Sequence, residues 1–171
     1  TTTGTDGTNY RQRAIVVKVG LGAPMPWVSL YPVALFDKAK APLTGTKRYV
    51  AHFNPETSRP PVRFFWSMTL YDNDGFLVDN EFDRYLVNDR SKPRYNADGS
   101  LDIYIQPDKP ANPAQVRNWL PSPPATSATR GFRLITRLYG LSDKGIKGVV
   151  DGTGWHGPSL LPCAPAGSTT E

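Results

Sequence analysis

The segment from residue 63 to residue 78 constrains the fold more than any other part of the chain. Every second residue from Phe64 to Leu70 is large and apolar, and mostly polar residues lie between them, which is typical of a half-buried β-strand. Asn73-Asp74-Gly75 follows, and these residue types tolerate the positive φ angles of a hairpin turn. A second strand is predicted to begin at Phe76.

Similar apolar stretches recur along the chain and are separated by segments rich in turn-forming residues. They predict strands at residues 28–36, 47–53, 63–71, 76–78, 101–105 and 132–138. The turns suit antiparallel connections, and no crossover helices alternate with the strands. We therefore predict an all-β fold, an antiparallel jelly-roll-like β-sandwich.

The segment at residues 9–20 gives conflicting local signals. Its β-branched residues favour a strand, whereas Tyr10, Ala14 and Val17 lie at helical spacing and Gly20 can end a helix. The helical interpretation is preferred, so the fold can include one short N-terminal helix. We predict an N-terminal extension or connector at 1–22, the β-sandwich at 23–162 and a flexible C-terminal tail at 163–171.

Composition narrows the classes of function. The net charge is +5, but the basic residues are spread along the chain and form no nucleic-acid motif, so no dedicated nucleic-acid binding is expected. No apolar run approaches the roughly 18 residues that a membrane-spanning helix needs. The single Cys163 cannot form an internal disulfide. It either bridges to a partner chain or, as we prefer, is an unpaired thiol with no role.

Four sequence blocks resemble a known family in order and spacing. They are FFWSMTLYDNDGFLVDNEFDRY at 64–85, YNADGSLDIYIQPDKP at 95–110, NWLPSP at 118–123 and FRLITRLYG at 132–140. Together they resemble the domain of unknown function 1214, although Gly140-Leu141 stands where the family usually has Trp-Pro.

The resemblance implies a jelly-roll β-sandwich that is commonly the C-terminal half of a two-domain protein. The N-terminal half of such proteins belongs to the family numbered 1254, so the resemblance also implies a missing N-terminal partner domain. It further implies an extracytoplasmic location, whether secreted, periplasmic or on the surface. The family brings no established reaction.

The sequence contains no recognisable catalytic or metal-binding motif. His52 and His156 lack metal-ligand spacing, and there is no nucleophile elbow or phosphate loop, so no metal and no cofactor are expected. The acidic residues between 72 and 83 could bind calcium. We prefer to interpret them as turn residues that cap their own backbone amides.

A polar cluster after the acidic turn is the best candidate for a binding site. Arg84 could bind a carboxylate bidentately, although a structural network is the preferred interpretation. Trp119 could line a groove, but plugging the end of the sandwich is preferred. The candidate ligand-binding residues are Asn80, Arg84, Tyr85, Asp102, Gln106 and Trp119.

Two functions remain open. In the first, the chain is a non-catalytic structural or assembly subunit of an extracytoplasmic or surface complex. Its partners are then other protein chains, through self-association or through the missing N-terminal domain. In the second, it is a binding protein or enzyme for a small organic acid or sugar, with a polar pocket at the end of the sandwich.

Overall fold

Two β-sheets that pack face to face form the body of the protein. A computed structural model describes residues 7–20, 24–126 and 131–163. The first sheet contains β1 (Ser29–Leu30), β2 (Val33–Ala34), β4 (Val62–Asp72), β5 (Leu86–Asn88) and β8 (Phe132–Leu141). The second contains β3 (Arg48–Phe53), β6 (Leu101–Gln106), β7 (Trp119–Pro121) and β9 (Ser159–Cys163). The helices are α1 (Tyr10–Gly20), α2 (Pro113–Val116) and α3 (Asp143–Val150).

The strand order confirms the predicted all-β sandwich. The first sheet runs β1-β8-β4-β5, with β2 also on β8, and the second runs β7-β6-β3-β9. Neighbouring strands are antiparallel except for β6 and β7, which are parallel. The parallel pair is possible because residues 107–118, including α2, form a crossover between the two strands.

The core lies between the two sheets. Trp66, Met68 and Leu70 point inward from β4, and apolar side chains of β3, β6 and β8 meet them. The Phe53 and Trp66 rings lie 5.6 Å apart, joining the sheets at the end where β4 begins. Each such side chain contributes about 1.5–3 kcal/mol of burial free energy, so β4 is central to stability.

The observed β4 departs from simple alternation in two ways. Phe64, expected to point inward, is 74% exposed, because the register with β8 shifts between Val62 and Phe65. Ser67 and Thr69 are buried rather than solvated. The strand is therefore covered on both faces over its central part, and the half-buried interpretation was wrong there.

Several predicted strands are shorter than expected. Residues 28–36 form β1 and β2 with a break between them, and residues 76–78 form only an isolated bridge between Tyr71 and Leu77. The preferred helix at residues 9–20 is confirmed as α1. The strands β5, β7 and β9 and the helices α2 and α3 were not predicted.

The predicted domain limits remain predictions. Helix α1 lies inside the proposed connector, and Cys163, the first residue of the predicted tail, is the last residue of β9. Residues 164–171 of that tail lie outside the described residues. None of the described helices is long and apolar enough to cross a membrane.

A substitution at Gly45 tests how its loop packs against the loop that contains Pro123. A Cβ atom at this position would overlap the carbonyl oxygen of Pro123, which is backbone and cannot rotate away. We expect Gly45→Ala to lower the free energy of unfolding by about 1–3 kcal/mol. In Gly157→Ala the new Cβ would meet only Trp155 at 3.8 Å. That control is expected to stay within about 0.5 kcal/mol in urea denaturation, and equal losses in both variants would contradict the packing.

Candidate functional site

The largest surface depression near the predicted polar cluster runs along the β5 edge of the sandwich. Its volume is about 690 Å³. We call it the basic groove, because four of its nine lining residues are cationic and only one is acidic. The lining residues are Phe82, Asp83, Arg84, Tyr85, Leu86, Arg90, Ser91, Lys92 and Arg117.

Arg84 is committed to backbone rather than to a carboxylate. Its Nη1 donates to the Val116 carbonyl at 2.9 Å, and its Nη2 donates to the Arg117 carbonyl. These carbonyls lie at the C-terminal end of α2, where helix carbonyls lack intrahelical partners. Burial lowers the pKa of the Arg84 guanidinium below its usual value. The side chain therefore ties the β5 edge to α2, as the preferred structural interpretation expects.

Asn80 organises the loop that leads into β5. Its Nδ2 donates to the carbonyls of Val78 at 3.1 Å and Arg84 at 3.2 Å, and its Oδ1 accepts from the Phe82 and Arg84 amides. The Tyr85 hydroxyl donates to Asp83 at 3.2 Å, and this bond raises the Tyr85 pKa. Both side chains are engaged locally: Tyr85 lines the basic groove, and Asn80 holds the loop that carries its wall.

The other three candidate residues belong to the second sheet. Asp102 accepts from Asn96 and contacts His52, whereas the Gln106 amide donates to the Asp108 carbonyl. Trp119 is only 1% exposed, and its indole N–H donates to the Gln106 carbonyl at 2.9 Å. Trp119 therefore plugs the sandwich, and the six candidates do not converge on one pocket.

A connection between the groove and the core was not anticipated. The Phe82 ring contacts the Trp119 ring edge-on, with centroids 4.8 Å apart. Phe82 thus covers the plug and forms part of the groove floor. No pattern in the sequence links these two residues, because Phe82 lies in the loop before β5 and Trp119 begins β7 in the second sheet.

The acidic turn matches the preferred interpretation. Asp72 Oδ1 accepts from the amides of Asp74, Gly75 and Phe76 at 2.8–3.0 Å. The carboxylate is therefore used as a cap. Within the described ranges, no group of three or more His, Cys, Asp or Glu side chains is placed to share a metal ion.

Two polar pairings escaped the sequence analysis. His52 Nδ1 lies 2.7 Å from Asp102 Oδ1, and these residues are direct neighbours across β3 and β6. On the outer face of the first sheet, Arg137 donates to Thr69 at 2.8 Å and to the Tyr71 hydroxyl. Both pairings follow from the register of the paired strands. That register cannot be assigned from the sequence, because it requires knowing which strands are neighbours.

The site so described is a polar edge of a β-sandwich with no catalytic constellation among the residues in the described ranges. The profile of the family described as protein of unknown function (DUF1214) matches residues 28–143, more than half of the chain. The chain therefore belongs to that family, and the resemblance seen in the sequence blocks is confirmed. No curated protein is significantly similar to it in sequence.

The solved structures similar to the chain include proteins from two bacteria. The VPA0106 protein from Vibrio parahaemolyticus is 26% identical with a TM-score of 0.68, and the match covers 86% of this chain and 34% of that one. An uncharacterised protein from Burkholderia cenocepacia is 16% identical with a TM-score of 0.45, covering 85% and 33%. The chain spans about a third of the length of both.

Arg84 provides the test of this site. Arg84→Gln removes two charge-assisted hydrogen bonds to the carbonyls at the end of α2, and we expect a loss of about 1–3 kcal/mol in the free energy of unfolding. Arg63 is exposed and has no hydrogen bond or ion pair with another described residue, so Arg63→Gln is the matched control. Urea denaturation of both variants measures the difference. Equal stability of the Arg84 variant and the parent would show that the clamp is not structural.

Proposed function

We propose that this chain is a non-catalytic β-sandwich that works by assembling with another protein unit. The observation that carries the proposal is α1, because this helix leaves its apolar side chains in solvent. An extracytoplasmic or surface complex is the expected setting, and that part of the proposal rests on the family resemblance alone.

Helix α1 carries an apolar stripe. Tyr10, Ala14 and Val17 are spaced by four and three residues, so they lie on one side of the helix. Tyr10 is 72% exposed and Val17 is 54% exposed, and Ile15 on another side of the helix is 55% exposed. A continuous apolar side of a helix is the usual means by which helices dock into hydrophobic grooves.

The helix has little intrinsic stability of its own. It has 11 residues, and isolated helices shorter than about 12–15 residues are marginal in water. Val16 and its neighbours are β-branched, which lowers helix propensity, and Arg11 and Arg13 near its N-terminus oppose the helix dipole. The Asn9 side chain caps the Gln12 amide at 3.1 Å but offsets only about 1 kcal/mol. Contact with a partner supplies the stabilising free energy that the isolated helix lacks.

The charge of α1 indicates the kind of partner. Arg11, Arg13 and Lys18 flank the stripe, and α1 contains no acidic residue. A protein surface with an apolar groove and an acidic rim complements this pattern. Since about two thirds of the Vibrio parahaemolyticus protein lies outside the matched part, a unit equivalent to that remainder is the partner we propose.

The native mass tests the proposal. For protein purified from its source under native conditions, light scattering is expected to give a mass above the 18.9 kDa of the chain. Val17→Asp places a charge in the apolar contact and should release the 18.9 kDa monomer. Val33→Asp changes a comparably exposed valine on β2 and should leave the assembly intact.

Two results would count against assembly through α1. One is an 18.9 kDa monomer from the source, and the other is an assembly that both valine variants leave unchanged.

Reductant serves as a further control, because it tests whether Cys163 links the chain to a partner. Partial desolvation raises the pKa of the Cys163 thiol and so disfavours its reactive thiolate. We therefore expect the same mass with and without reductant.

A further inference from the structure

The β5 edge of the first sheet is open to pairing with another polypeptide. In the order of the described strands, β5 is the last on its side, with β4 as its neighbour. An edge strand presents backbone N–H and C=O groups that a second chain can bind. The basic groove runs along this edge, and Leu86 of β5 lines it. The backbone groups of the edge therefore decide what can pair there.

The ladder between β4 and β5 shows which backbone groups point outward. The Leu70 amide donates to the Tyr85 carbonyl at 3.3 Å, so these two residues form a hydrogen-bonded pair. In an antiparallel ladder, such pairs alternate with pairs that exchange no bonds. The N–H and C=O groups of Arg84, Leu86 and Asn88 therefore point away from β4.

Side chains of this chain occupy two of these three outward positions. Asn80 Oδ1 accepts from the Arg84 amide at 3.1 Å, and Asn80 Nδ2 donates to the Arg84 carbonyl at 3.2 Å. Ser91 Oγ accepts from the Asn88 amide at 3.1 Å and lies 2.7 Å from the Asn88 carbonyl, to which it donates. Both ends of the edge are thus closed to strand pairing, which is how natural sheets limit uncontrolled association.

Leu86 is the open position between the two closed ones. Within the described ranges, no residue accepts from its amide or donates to its carbonyl. One residue of an extended peptide can exchange both main-chain bonds with Leu86, as a hydrogen-bonded pair does in a sheet. Because the neighbouring positions are closed, side chains of the peptide must supply the remaining binding free energy.

The surroundings of Leu86 favour acidic and apolar side chains. Three cationic side chains line the groove and form no ion pair with a described carboxylate, namely Arg90, Lys92 and Arg117. The acidic lining residue, Asp83, already accepts from the Tyr85 hydroxyl. Phe82, at 42% exposed, adds apolar surface to that of Leu86. A segment that alternates acidic and apolar side chains complements both features.

We propose that the basic groove binds an extended acidic segment of another protein. One residue of the segment pairs with the N–H and C=O of Leu86, and its acidic side chains contact Lys92 and the two arginines beside it. Exposed ion pairs are individually weak, so binding requires the main-chain pairing and the charges together. No residue of α1 lines the groove, so this proposal and assembly through α1 can each fail while the other stands.

Isothermal titration calorimetry tests the chemistry of the segment. The probe is an eight-residue peptide of alternating glutamate and valine with blocked ends. The same peptide N-methylated at every residue lacks the main-chain donors, and an alternating lysine and valine peptide reverses the charge. An oligothymidylate of eight nucleotides carries negative charge without a peptide backbone. We expect saturable binding of the probe and at least about tenfold weaker binding of each comparison ligand.

Two variants locate the binding, and each has a matched control. Leu86→Glu places a negative charge at the open position and should weaken binding of the probe at least about tenfold. Leu161→Glu changes a similarly exposed leucine on the edge strand β9 and should not. Lys92→Asn should weaken binding about two- to fivefold, whereas Lys40→Asn changes another exposed lysine with positive φ and should bind as the parent does. Asparagine tolerates this backbone conformation, and melting temperatures check that all four variants fold.

Three outcomes would overturn the proposal. The first is no saturable binding of the probe below about 1 mM. The second is binding of the N-methylated or the lysine-containing peptide that equals binding of the probe, and the third is binding that both groove variants leave unchanged. Oligothymidylate binding as tight as that of the probe would assign the groove to nucleic acid and would equally overturn the proposal.

Discussion

The long antiparallel ladder between β4 and β8 is the interaction on which the rest of the structure depends. It extends from the pair Val62 and Leu141 to the pair Asp72 and Phe132. One face of the ladder supplies core side chains from both strands, and the other face carries the layer in which Arg137 binds Thr69 and Tyr71. Its far end also places a surface feature, since the acidic turn capped by Asp72 follows where β4 ends.

The long elements were predictable because their patterns are local. The alternation in β3, β6 and β8 continues over six or more residues, and the sandwich follows from it. The short strands β5, β7 and β9 were not predictable, because three to five residues carry too little periodicity. Each exists through its pairing with a distant strand, as β9 does with β3. The shift at Phe64 also depends on its partner strand and has no local signature.

In the candidate site, too, contacts between residues close in sequence were predictable and contacts between distant residues were not. Asn80 was correctly interpreted as part of a structural network, because its partners lie within four residues of it. The partners of Arg84 lie 32 and 33 residues away and are backbone carbonyls, which no side-chain motif reveals.

The central claim is that α1 is completed by a partner, and amide hydrogen exchange measures this most directly. Exchange across Tyr10–Gly20 should be compared between the native material from the source and the recombinant chain alone. The account predicts slow exchange of α1 in the native material and fast exchange in the isolated chain, while β4 is protected in both. Fast exchange of α1 in both samples, or equal protection in both, would contradict the account.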